Sequence, residues 1–277
     1  MGTNVAFGLL GPLTVRRGDQ VIPISFGNQR VVLAVLLAQA NCVVPVEELA
    51  DLIWSGRPPR TARVTVQNYV KRLRQALSRD QDPTPIRTVR DGYVVDASPR
   101  QLDLTRFHQL SAAGLELARR QDWDQAARQL SVALSLWRGQ PFADIPCEAL
   151  GLRERPSLET LRSRALAARI DADLHLGRHY QVIPELQELI AADPLGERLY
   201  GLLMLALYRC GHQADALEVY RHARQRLVQG AGVEPGPELQ LLHKQILLTD
   251  PALKLVQPPG PFILNVSRPA PRPLIRQ

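Results

Sequence analysis

The sequence predicts a mainly α-helical protein with a small β component, divided into two domains and a tail. Residues 5–97 alternate β-prone segments with helical ones, whereas from residue 102 to residue 248 apolar residues recur at the three- and four-residue spacing of helices. Residues 250–277 contain seven prolines and are predicted to be extended and flexible. We therefore expect one domain over residues 1–97, an all-helical domain over residues 98–249, and a Pro-rich tail.

The first domain is predicted to begin with strands and two helices. Residues 5–24 mix β-prone residues with glycine and proline breakers, which predicts short antiparallel strands joined by tight turns. Residues 28–40 form an apolar helix, for which Asn28 is the expected cap. Pro45, followed by two glutamates, lies in the expected first turn of a second helix, VEELADLIW.

A third helix and a hairpin complete this domain. The segment SGRPPR, residues 55–60, interrupts the helical pattern, and the third helix is then predicted from Thr61 to Ser78. Residues 86–97 are two β-prone runs around Asp91-Gly92, a dipeptide typical of hairpin turns. The predicted order is therefore strands, three helices and a hairpin.

The second domain contains an internal repeat. Gly177 and Gly211 are 34 residues apart, which is the tetratricopeptide period. Apolar or small residues follow each glycine at the same offsets, and a weaker copy precedes them. The matching positions are Val182, Leu186 and Leu189, then Ala216, Tyr220 and Ala223, and, in the weaker copy, Ala126, Leu130 and Ala133. Such spacing predicts antiparallel helix pairs in which small residues permit close approach and large ones fill the seam.

The third helix has two contrasting faces. An apolar stripe, expected to pack inward, consists of Ala62, Val66, Tyr69, Val70, Leu73 and Leu77. The opposite face is centred on Val64, Asn68, Lys71 and Gln75, with Thr65 and Arg72 on one side and Gln67 and Arg74 on the other. From Arg60 to Arg79 there are six basic residues and no acidic one, whereas a merely solvated helix usually mixes signs. We infer that an anion satisfies this face.

The residue types on this helix suit the grooves of DNA. Arginine and lysine neutralise phosphates or bind guanine edges, asparagine and glutamine pair with adenine, and the threonine methyl contacts the thymine methyl. The hairpin adds Arg87, Thr88 and Arg90 just before its turn, where an arginine can enter a narrow minor groove. The third helix and the hairpin are therefore predicted to bind nucleic acid.

The overall charge permits this hypothesis but does not decide it. The formal net charge is +7 and the isoelectric point is about 9.8, which is compatible with a polyanionic partner. Only three of the 34 basic residues are lysines, as a GC-rich genome produces, so basicity alone has a simpler explanation. The placement of the charges therefore matters more than their sum.

Other functional classes find little support in the sequence. No window approaches the roughly 20 apolar residues of a membrane span, no signal peptide is recognisable, and three scattered cysteines predict no disulfide framework. Nucleotide-binding, hydrolase and zinc motifs are missing as well, so neither an enzyme nor a cofactor is expected. His175 and His179 have the spacing of a metal pair, but Gly177 is expected to end the helix between them, so no metal site is predicted.

Taken in order, these motifs resemble a known family. TVQNYVKRLRQAL (65–77) and IRTVRDGYVV (86–95) are similar to the recognition helix and the wing of the OmpR/PhoB-type winged helix-turn-helix domain. LSLWRGQPFAD, LGRHYQVIPELQELI and GVEPGPELQLLHKQIL resemble a bacterial transcriptional activation domain, which is tetratricopeptide-like. Over residues 5–248 the chain is therefore similar to the Streptomyces antibiotic regulatory proteins (SARPs).

The resemblance implies roles for individual residues. Positions that face bases are Thr65, Gln67, Asn68 and Arg72, and positions that contact phosphates are Arg63, Tyr69, Lys71 and Arg74. In the wing, Arg90 with Thr88 matches the position near the minor groove. The loop that family members turn toward RNA polymerase corresponds to Trp54, Ser55, Gly56, Arg57, Pro58, Pro59 and Arg60. Asp91 departs from the pattern, because OmpR-type wings often have glycine there.

The resemblance also implies a function and partners. It implies a cytoplasmic, nucleoid-associated activator that binds direct repeats in double-stranded promoter DNA near the −35 region. The protein is expected to self-associate there and to recruit RNA polymerase through the σ factor, as a pathway-specific regulator of antibiotic biosynthesis. Two alternatives stay open. One is a protein–protein adaptor in which the repeat domain does the binding, and the other is a repressor or architectural protein that uses the same winged helix.

Overall fold

The computed structural model describes residues 5–25, 27–78 and 84–253 of the protein. The predicted fold class is confirmed, since strands, three helices and a hairpin precede an all-helical region. The strands are β1 (Val5–Gly8), β2 (Thr14–Arg17), β3 (Gln20–Val21), β4 (Val44–Pro45), β5 (Ile86–Val89) and β6 (Gly92–Val95). The helices are α1 (Asn28–Ala38), α2 (Val46–Trp54), α3 (Ala62–Leu77), α4 (Asp103–Arg119), α5 (Trp123–Leu134), α6 (Glu148–His175), α7 (His179–Ala192), α8 (Glu197–Arg209), α9 (Gln213–Ala231) and α10 (Pro237–Leu247).

Two small antiparallel sheets flank the first three helices. One has the order β1-β2-β3 and the other β4-β6-β5. In the second sheet Val89 pairs with Gly92, which leaves Arg90 and Asp91 as the turn of the hairpin. The turn predicted at Asp91-Gly92 is therefore wrong by one residue. Gly92 belongs to β6, where the carbonyl oxygen of Val44 lies only 2.5 Å from the position that a Cβ atom would occupy.

The starts of α1 and α2 differ by one residue from the prediction. Gly27, with a φ of 87°, is the N-cap of α1, so Asn28 lies inside the helix and its predicted capping role is wrong. The Asn28 amide instead donates a 3.4 Å hydrogen bond to the hydroxyl of Tyr69. Pro45 precedes α2 as its N-cap, because it is extended and pairs with Gly92 in β4.

The helical region uses one turn geometry three times. Gln121, Gly177 and Gly211 follow helix C-cap residues and have left-handed φ values of 62°, 78° and 85°. The two glycines, 34 residues apart, are the repeat positions expected from the sequence. Five residues after each of them, Val182 and Ala216 are buried in the same core. The predicted helical repeat is thus present, with α8 packed between α7 and α9.

The two largest hydrophobic cores of the described residues are joined by α6. The first core is shared between the domains, because side chains of β1 and α1 to α3 pack with Phe107 of α4 and Phe142 of the segment after α5. The second core lies among α7 to α10. With 28 residues, α6 is about 42 Å long and contributes Leu158 to the first core and Ile170 to the second. The helical region therefore fixes the position of the first three helices.

Charged side chains of the helical region hold the turn between β1 and β2. The carboxylate of Asp103 accepts hydrogen bonds from the amides of Leu9 and Leu10 at 2.8 and 3.1 Å. Arg138 donates its backbone amide to the carbonyl of Leu10 at 2.7 Å and its guanidinium to the carbonyl of Pro12 at 3.0 Å. These bonds satisfy backbone groups of a buried turn that β-pairing leaves without partners.

A second contact on this seam reaches α1. Asp144 accepts a 2.8 Å hydrogen bond from the amide of Leu13 and forms an ion pair with Arg30, which is 8% exposed. Arg30 also donates to the carbonyl of Leu13 at 2.9 Å. Arg138 and Asp144 both belong to the segment WRGQPFAD, residues 137–144. This segment therefore packs the helical region against the winged helix.

The beginning of the predicted tail is ordered into a short turn. Pro251–Leu253 form a 3-10 helix, and Leu253 is buried against the second core. Arg209 of α8 donates a 3.0 Å hydrogen bond to the carbonyl of Leu253. The extended conformation predicted from residue 250 is therefore wrong for this stretch, and residues 254–277 lie outside the described residues.

Candidate nucleic-acid interface

The candidate interface is built on α3, whose inner face is buried. Ala62, Val66, Val70, Leu73 and Leu77 are buried, as the apolar spacing predicted. Val66, Val70, Leu73 and Leu77 belong to the first core, and α3 packs against α1 and α2. Because this stripe fixes the rotation of the helix about its axis, the opposite side chains must face solvent.

The outer face of α3 is polar and basic. We call it the reading face, and it consists of Gln67, Asn68, Lys71, Arg72 and Gln75, all of which are exposed. Within the described residues, none of these five side chains forms a hydrogen bond or an ion pair. These five side chains, which have no partner among the described residues, are available to a ligand. An α-helix has a width that the major groove of DNA admits.

Thr65 and Tyr69 lie at the edges of this face. The hydroxyl of Thr65 donates a 3.0 Å hydrogen bond to the carbonyl of Thr61, so its methyl group is the part left for an outside contact. Tyr69 is half-buried, as expected, with its ring packed against the first core. Its hydroxyl is the acceptor for Asn28, which directs the oxygen to the rim of the interface.

Arg63, at the start of α3, is paired with two carboxylates. Its guanidinium lies 2.8 Å from Asp91 at the tip of the hairpin and 3.3 Å from Glu47 in α2. Half of the Arg63 side chain is still exposed, and Asp91 is 83% exposed. Pairs of this exposure contribute little to stability. A competing anion such as a phosphate can therefore displace them.

Arg74, near the end of α3, is bonded to the hairpin. Its Nε donates to the carbonyl of Ile86 at 3.1 Å, and its Nη2 donates to the hydroxyl oxygen of Thr88 at 2.7 Å. The guanidinium also lies over the ring of Tyr93, 5.8 Å from its centroid. Arg74 and Thr88, which the sequence assigns to DNA separately, thus contact each other.

The hairpin of β5 and β6, residues 86–95, is the wing. At its tip Arg90 is exposed and has a left-handed backbone with a φ of 50°. Arg87 points to another partner, because it forms an ion pair with Asp96, with one nitrogen–oxygen distance of 2.8 Å. The hydrogen bond from Arg87 holds the pKa of Asp96 below its ordinary value. Of the three predicted wing residues, Arg90 alone has an exposed cation without such a pair among the described residues.

The loop between α2 and α3 projects into solvent. Trp54 is the last residue of α2 and packs partly against the first core, so it is a helix residue rather than a loop residue. Ser55 and Gly56 both have left-handed φ values, 51° and 77°, which turn the chain sharply away from α2. Residues 55–60 are all exposed and present Arg57 and Arg60. We call residues 55–60 the α2–α3 loop.

The resemblance assigns no role to some members of this interface. Gln75 is one of them, although helical spacing alone places it on the outer face of α3, where the structure also has it. Glu47 and Asp91 belong to the interface as partners of Arg63. The sequence does not reveal these contacts, because the partners are distant along the chain. The wing and the reading face are therefore linked by charges as well as by proximity.

Other kinds of site have less support. His175 ends α6 and His179 begins α7, so the helix break predicted at Gly177 is confirmed. Across residues 5–25, 27–78 and 84–253, no group of three or more His, Cys, Asp or Glu side chains is arranged to hold a metal ion. None of the helices in these ranges combines the length and the apolar character needed to cross a membrane.

Family models match both parts of the chain. Residues 27–95 match the model described as transcriptional regulatory protein, C terminal, and residues 102–247 match the bacterial transcriptional activator domain. The first match contains α1 to α3 and the wing, and the second contains α4 to α10. The two models therefore coincide with the winged helix and the helical region.

Individual relatives match almost the whole chain. The regulatory protein DnrI of Streptomyces peucetius is 35% identical over 267 residues, which are 94% of this chain and 98% of DnrI. The transcriptional regulator RedD of Streptomyces coelicolor is 36% identical over 92% of this chain and 73% of RedD. The regulatory protein AfsR of Streptomyces coelicolor is 39% identical over 89% of this chain, which is 24% of AfsR.

A solved structure has the same fold. Mycobacterium tuberculosis EmbR, determined in complex with a low-affinity phosphopeptide, superposes with a TM-score of 0.86 at 32% identity. The match covers 90% of this chain and 66% of the EmbR chain. These relatives are regulators, and no enzyme family is indicated. The protein belongs to the SARP family of DNA-binding transcriptional activators, in which an OmpR/PhoB-type winged helix precedes a bacterial transcriptional activator domain.

Proposed function

We propose that the protein binds direct repeats near the −35 region of a promoter, recruits RNA polymerase and thereby activates an antibiotic biosynthesis pathway. The observation that best supports this proposal is the reading face, whose five exposed polar side chains have no internal partner among the described residues. The similarity to DnrI and RedD supports a regulatory role over the full length of the chain. The proposal assigns separate roles to α3, the wing and the α2–α3 loop.

The reading face enters the major groove. Arg72 is the strongest candidate for a base contact, because an unpaired guanidinium binds the O6 and N7 edge of guanine with two hydrogen bonds. Gln67 and Asn68 pair with adenine, and Thr65 contributes its methyl group. A good bidentate contact discriminates by about 1–3 kcal/mol against a wrong base. These four residues therefore set the preferred sequence.

Cations and a hydroxyl around the reading face contact phosphates. Lys71 is exposed and unpaired among the described residues, and the hydroxyl of Tyr69 lies at the rim. Arg63 and Arg74 flank these two and bind phosphate with the N–H groups that their internal bonds leave over. The logarithm of affinity falls linearly with the logarithm of the salt concentration, and each neutralised phosphate adds about 0.9 to the steepness of that slope. The affinity should thus fall steeply as the salt concentration rises.

The wing reaches the minor groove next to the helix. Arg90 stands at its tip with an exposed side chain, which suits insertion into a narrow, strongly negative groove. Thr88 and Arg87 lie behind it on β5 and approach the phosphates at the groove edge. Their existing bonds to Arg74 and Asp96 hold them in place. The wing thus extends the contacts beyond the bases that α3 reads.

The α2–α3 loop contacts RNA polymerase. Its six residues are exposed, and Arg57 and Arg60 are cations without partners among the described side chains. Because the loop directly precedes α3, it lies next to the proposed DNA contact, where a protein bound beside the promoter site can reach it. An acidic surface of the σ factor is the partner that these two arginines fit.

Direct repeats would align two copies on one face of the duplex when their centres lie about 10–10.5 base pairs apart.

Binding is tested by fluorescence anisotropy on a duplex selected by the wild-type protein from random sequences. We expect Arg72→Ala and Asn68→Ala to weaken this binding and to relax the preferred sequence. Arg198→Ala is the matched control. Arg198 is also exposed and unpaired among the described residues, but it lies on α8 in the helical region. Equal affinity of the wild type for selected and scrambled duplexes would overturn the proposal and favour an adaptor.

Activation is tested by in vitro transcription with purified RNA polymerase. The protein should raise the transcript yield from a promoter that carries the direct repeat, and removal of one repeat should lower the yield. Arg57→Ala together with Arg60→Ala should abolish the increase while DNA affinity stays near the wild-type value. A decrease in transcript on adding the wild-type protein would identify a repressor instead.

A further inference from the structure

The wing lies along α3 and is tied to it at two points. Arg74 is bonded to the base of the wing, at Ile86 and Thr88, with distances of 3.1 and 2.7 Å. Arg63 lies 2.8 Å from Asp91 at the tip. Eleven residues of helix between the two arginines span about 16 Å. From Ile86 to Asp91, β5 and the turn advance five residues, which is at most about 16 Å, so the wing can lie alongside this part of α3.

The two ties differ in strength. Arg74 is half-buried and combines two hydrogen bonds to β5 with a position over the ring of Tyr93 in β6. It therefore touches both strands of the wing from one side chain. Arg63 is half exposed, and its partner Asp91 is almost fully exposed. Of the two ties between α3 and the wing, the one at Arg74 is therefore the stronger, and Arg63 is a weaker second contact.

The guanidinium of Arg74 is used in a way that a simple cation cannot reproduce. Its Nε and Nη2 atoms donate in two fixed directions, to a carbonyl and to a hydroxyl oxygen. The planar guanidinium of arginine can donate to both acceptors and stack on the aromatic ring at the same time, whereas the ammonium of lysine is a point charge on a flexible side chain. The geometry thus requires arginine for its shape and not only for its charge.

We infer that Arg74 is a positioning residue that sets the angle between the wing and α3, so that Arg90 reaches the minor groove while the reading face occupies the major groove. The inference rests on the proposed function for its effect on DNA, but the tie itself exists in the protein without DNA. A purely electrostatic role for Arg74, as one more phosphate contact, makes different predictions.

The first test uses the full chain without DNA. Hydrogen exchange of the wing amides, residues 86–95, should be faster in Arg74→Lys and in Thr88→Val than in the wild type, because each variant breaks a bond that holds the wing. Thr88→Val keeps the size of the side chain and every charge, so it separates position from electrostatics. Lys71→Gln is the control and should leave wing exchange unchanged. Wild-type exchange rates in both Arg74→Lys and Thr88→Val overturn the inference.

The second test measures DNA affinity as a function of salt. Arg74→Lys and Arg74→Gln should both lose roughly tenfold in affinity, the size expected for losing a hydrogen bond to a charged group. Thr88→Val should lose less, with an unchanged salt slope, and hydroxyl-radical protection of the minor groove should fade in all three variants. Lys71→Gln should instead reduce the slope by about 1.

The outcomes separate the two hypotheses. Because Arg74 is also proposed to contact phosphate, a slope reduced by about 1 in Arg74→Gln agrees with both hypotheses. Wild-type affinity in Arg74→Lys would show that the charge alone is sufficient and would overturn the positioning role. A wild-type protein without sequence preference would overturn the proposed function instead, and faster wing exchange in the variants would still support the tie. Circular dichroism of each variant confirms that the fold is intact before either comparison.

Discussion

The cations of the reading face differ from several arginines of the helical region in their pairing. In the helical region Arg119 and Arg120 both bond Glu116, at 2.8 and 2.7 Å, and Arg224 bonds Glu234 at 2.6 Å. On α3, Lys71 and Arg72 have no carboxylate partner among the described residues. Both regions are rich in arginine, so composition does not distinguish them. The two regions differ in whether each charged side chain has a carboxylate partner.

The same distinction divides α3 itself. Arg63 and Arg74, on the side of the wing, have internal partners, whereas Lys71 and Arg72, on the reading face, have none in the part of the chain that the structure describes. A helix that repels itself along one face is destabilised slightly unless an anion is near. We propose that paired arginines of this protein hold its parts together and that the cations of the reading face, which have no partner among the described residues, contact DNA. The following predictions test this division, beginning with the largest effect.

Of the predicted changes, breaking the ion pair between Arg30 and Asp144 should cost the most stability. Asp144→Ala leaves Arg30, whose side chain is 10% exposed, without this carboxylate and removes the acceptor for the amide of Leu13. We expect a loss of about 3 kcal/mol in the free energy of unfolding, at the lower end for a broken buried pair, since Asp144 is itself 30% exposed. Urea denaturation measures it. Asp144→Asn, which keeps one oxygen, should lose less, and an unchanged midpoint for Asp144→Ala would contradict the prediction.

Removing an unpaired arginine should leave stability unchanged and weaken DNA binding. Arg72→Ala should cost about 1–3 kcal/mol of binding free energy at the preferred site, with less discrimination at one base position. Titrations against the preferred site and its single-base variants measure both effects. Arg198→Ala should bind like the wild type. Loss of unfolding free energy without loss of specificity would mean that Arg72 has a structural role.

Removing the unpaired lysine should weaken binding to all sequences alike. Lys71→Ala is expected to reduce the slope of affinity against salt by about 1, because one fewer counterion is released. The ratio of affinities for preferred and scrambled duplexes should stay at the wild-type value. Binding isotherms at three or more salt concentrations provide the slope. A change in that ratio would instead place Lys71 among the base contacts.

The inner face of α3 is predictable from the sequence because its determinants are local. Burial of Val66, Val70 and Leu73 follows from three- and four-residue spacing alone. The reading face then follows by elimination, since side chains opposite a buried stripe must be exposed. The repeat turns at Gly177 and Gly211 are predictable for a similar reason, as both glycines have a positive φ.

Contacts between distant residues are what the sequence does not reveal. The turn of the wing shifts to Arg90 and Asp91 because Gly92 is needed beside Val44, a residue of another strand. The partners of Arg63 and Arg74 lie 28 and 14 residues away, so their pairing is invisible to helical periodicity. These are also the contacts that change the meaning of predicted site residues. An exposed arginine predicted to bind phosphate has a second role once its internal partner is known.

The smallest effect is expected for an exposed pair in the helical region. Hydrogen bonds from Arg119 and then Arg120 lower the pKa of Glu116 from its ordinary value of 4.5 to about 2. A lowered pKa means that the ionised carboxylate favours the folded helix. That contribution is complete above pH 4.5 and is lost as the pH falls through 2. Because all three side chains are exposed, the effect on overall stability should be slight.

The titration of Glu116 itself is therefore the sensitive measurement. Carbon-detected NMR should give a midpoint near pH 2 in the wild type, and the double variant Arg119→Ala, Arg120→Ala should return it toward 4.5. Arg106→Ala, which removes an exposed arginine elsewhere on α4, should leave the midpoint in place. The double variant should also bind DNA like the wild type at physiological salt, since exposed charges beyond the Debye length of about 8 Å are screened. A loss of DNA affinity in this variant would show that paired arginines of the helical region also contact DNA. That result would contradict the division between paired arginines that stabilise the fold and unpaired cations that bind DNA.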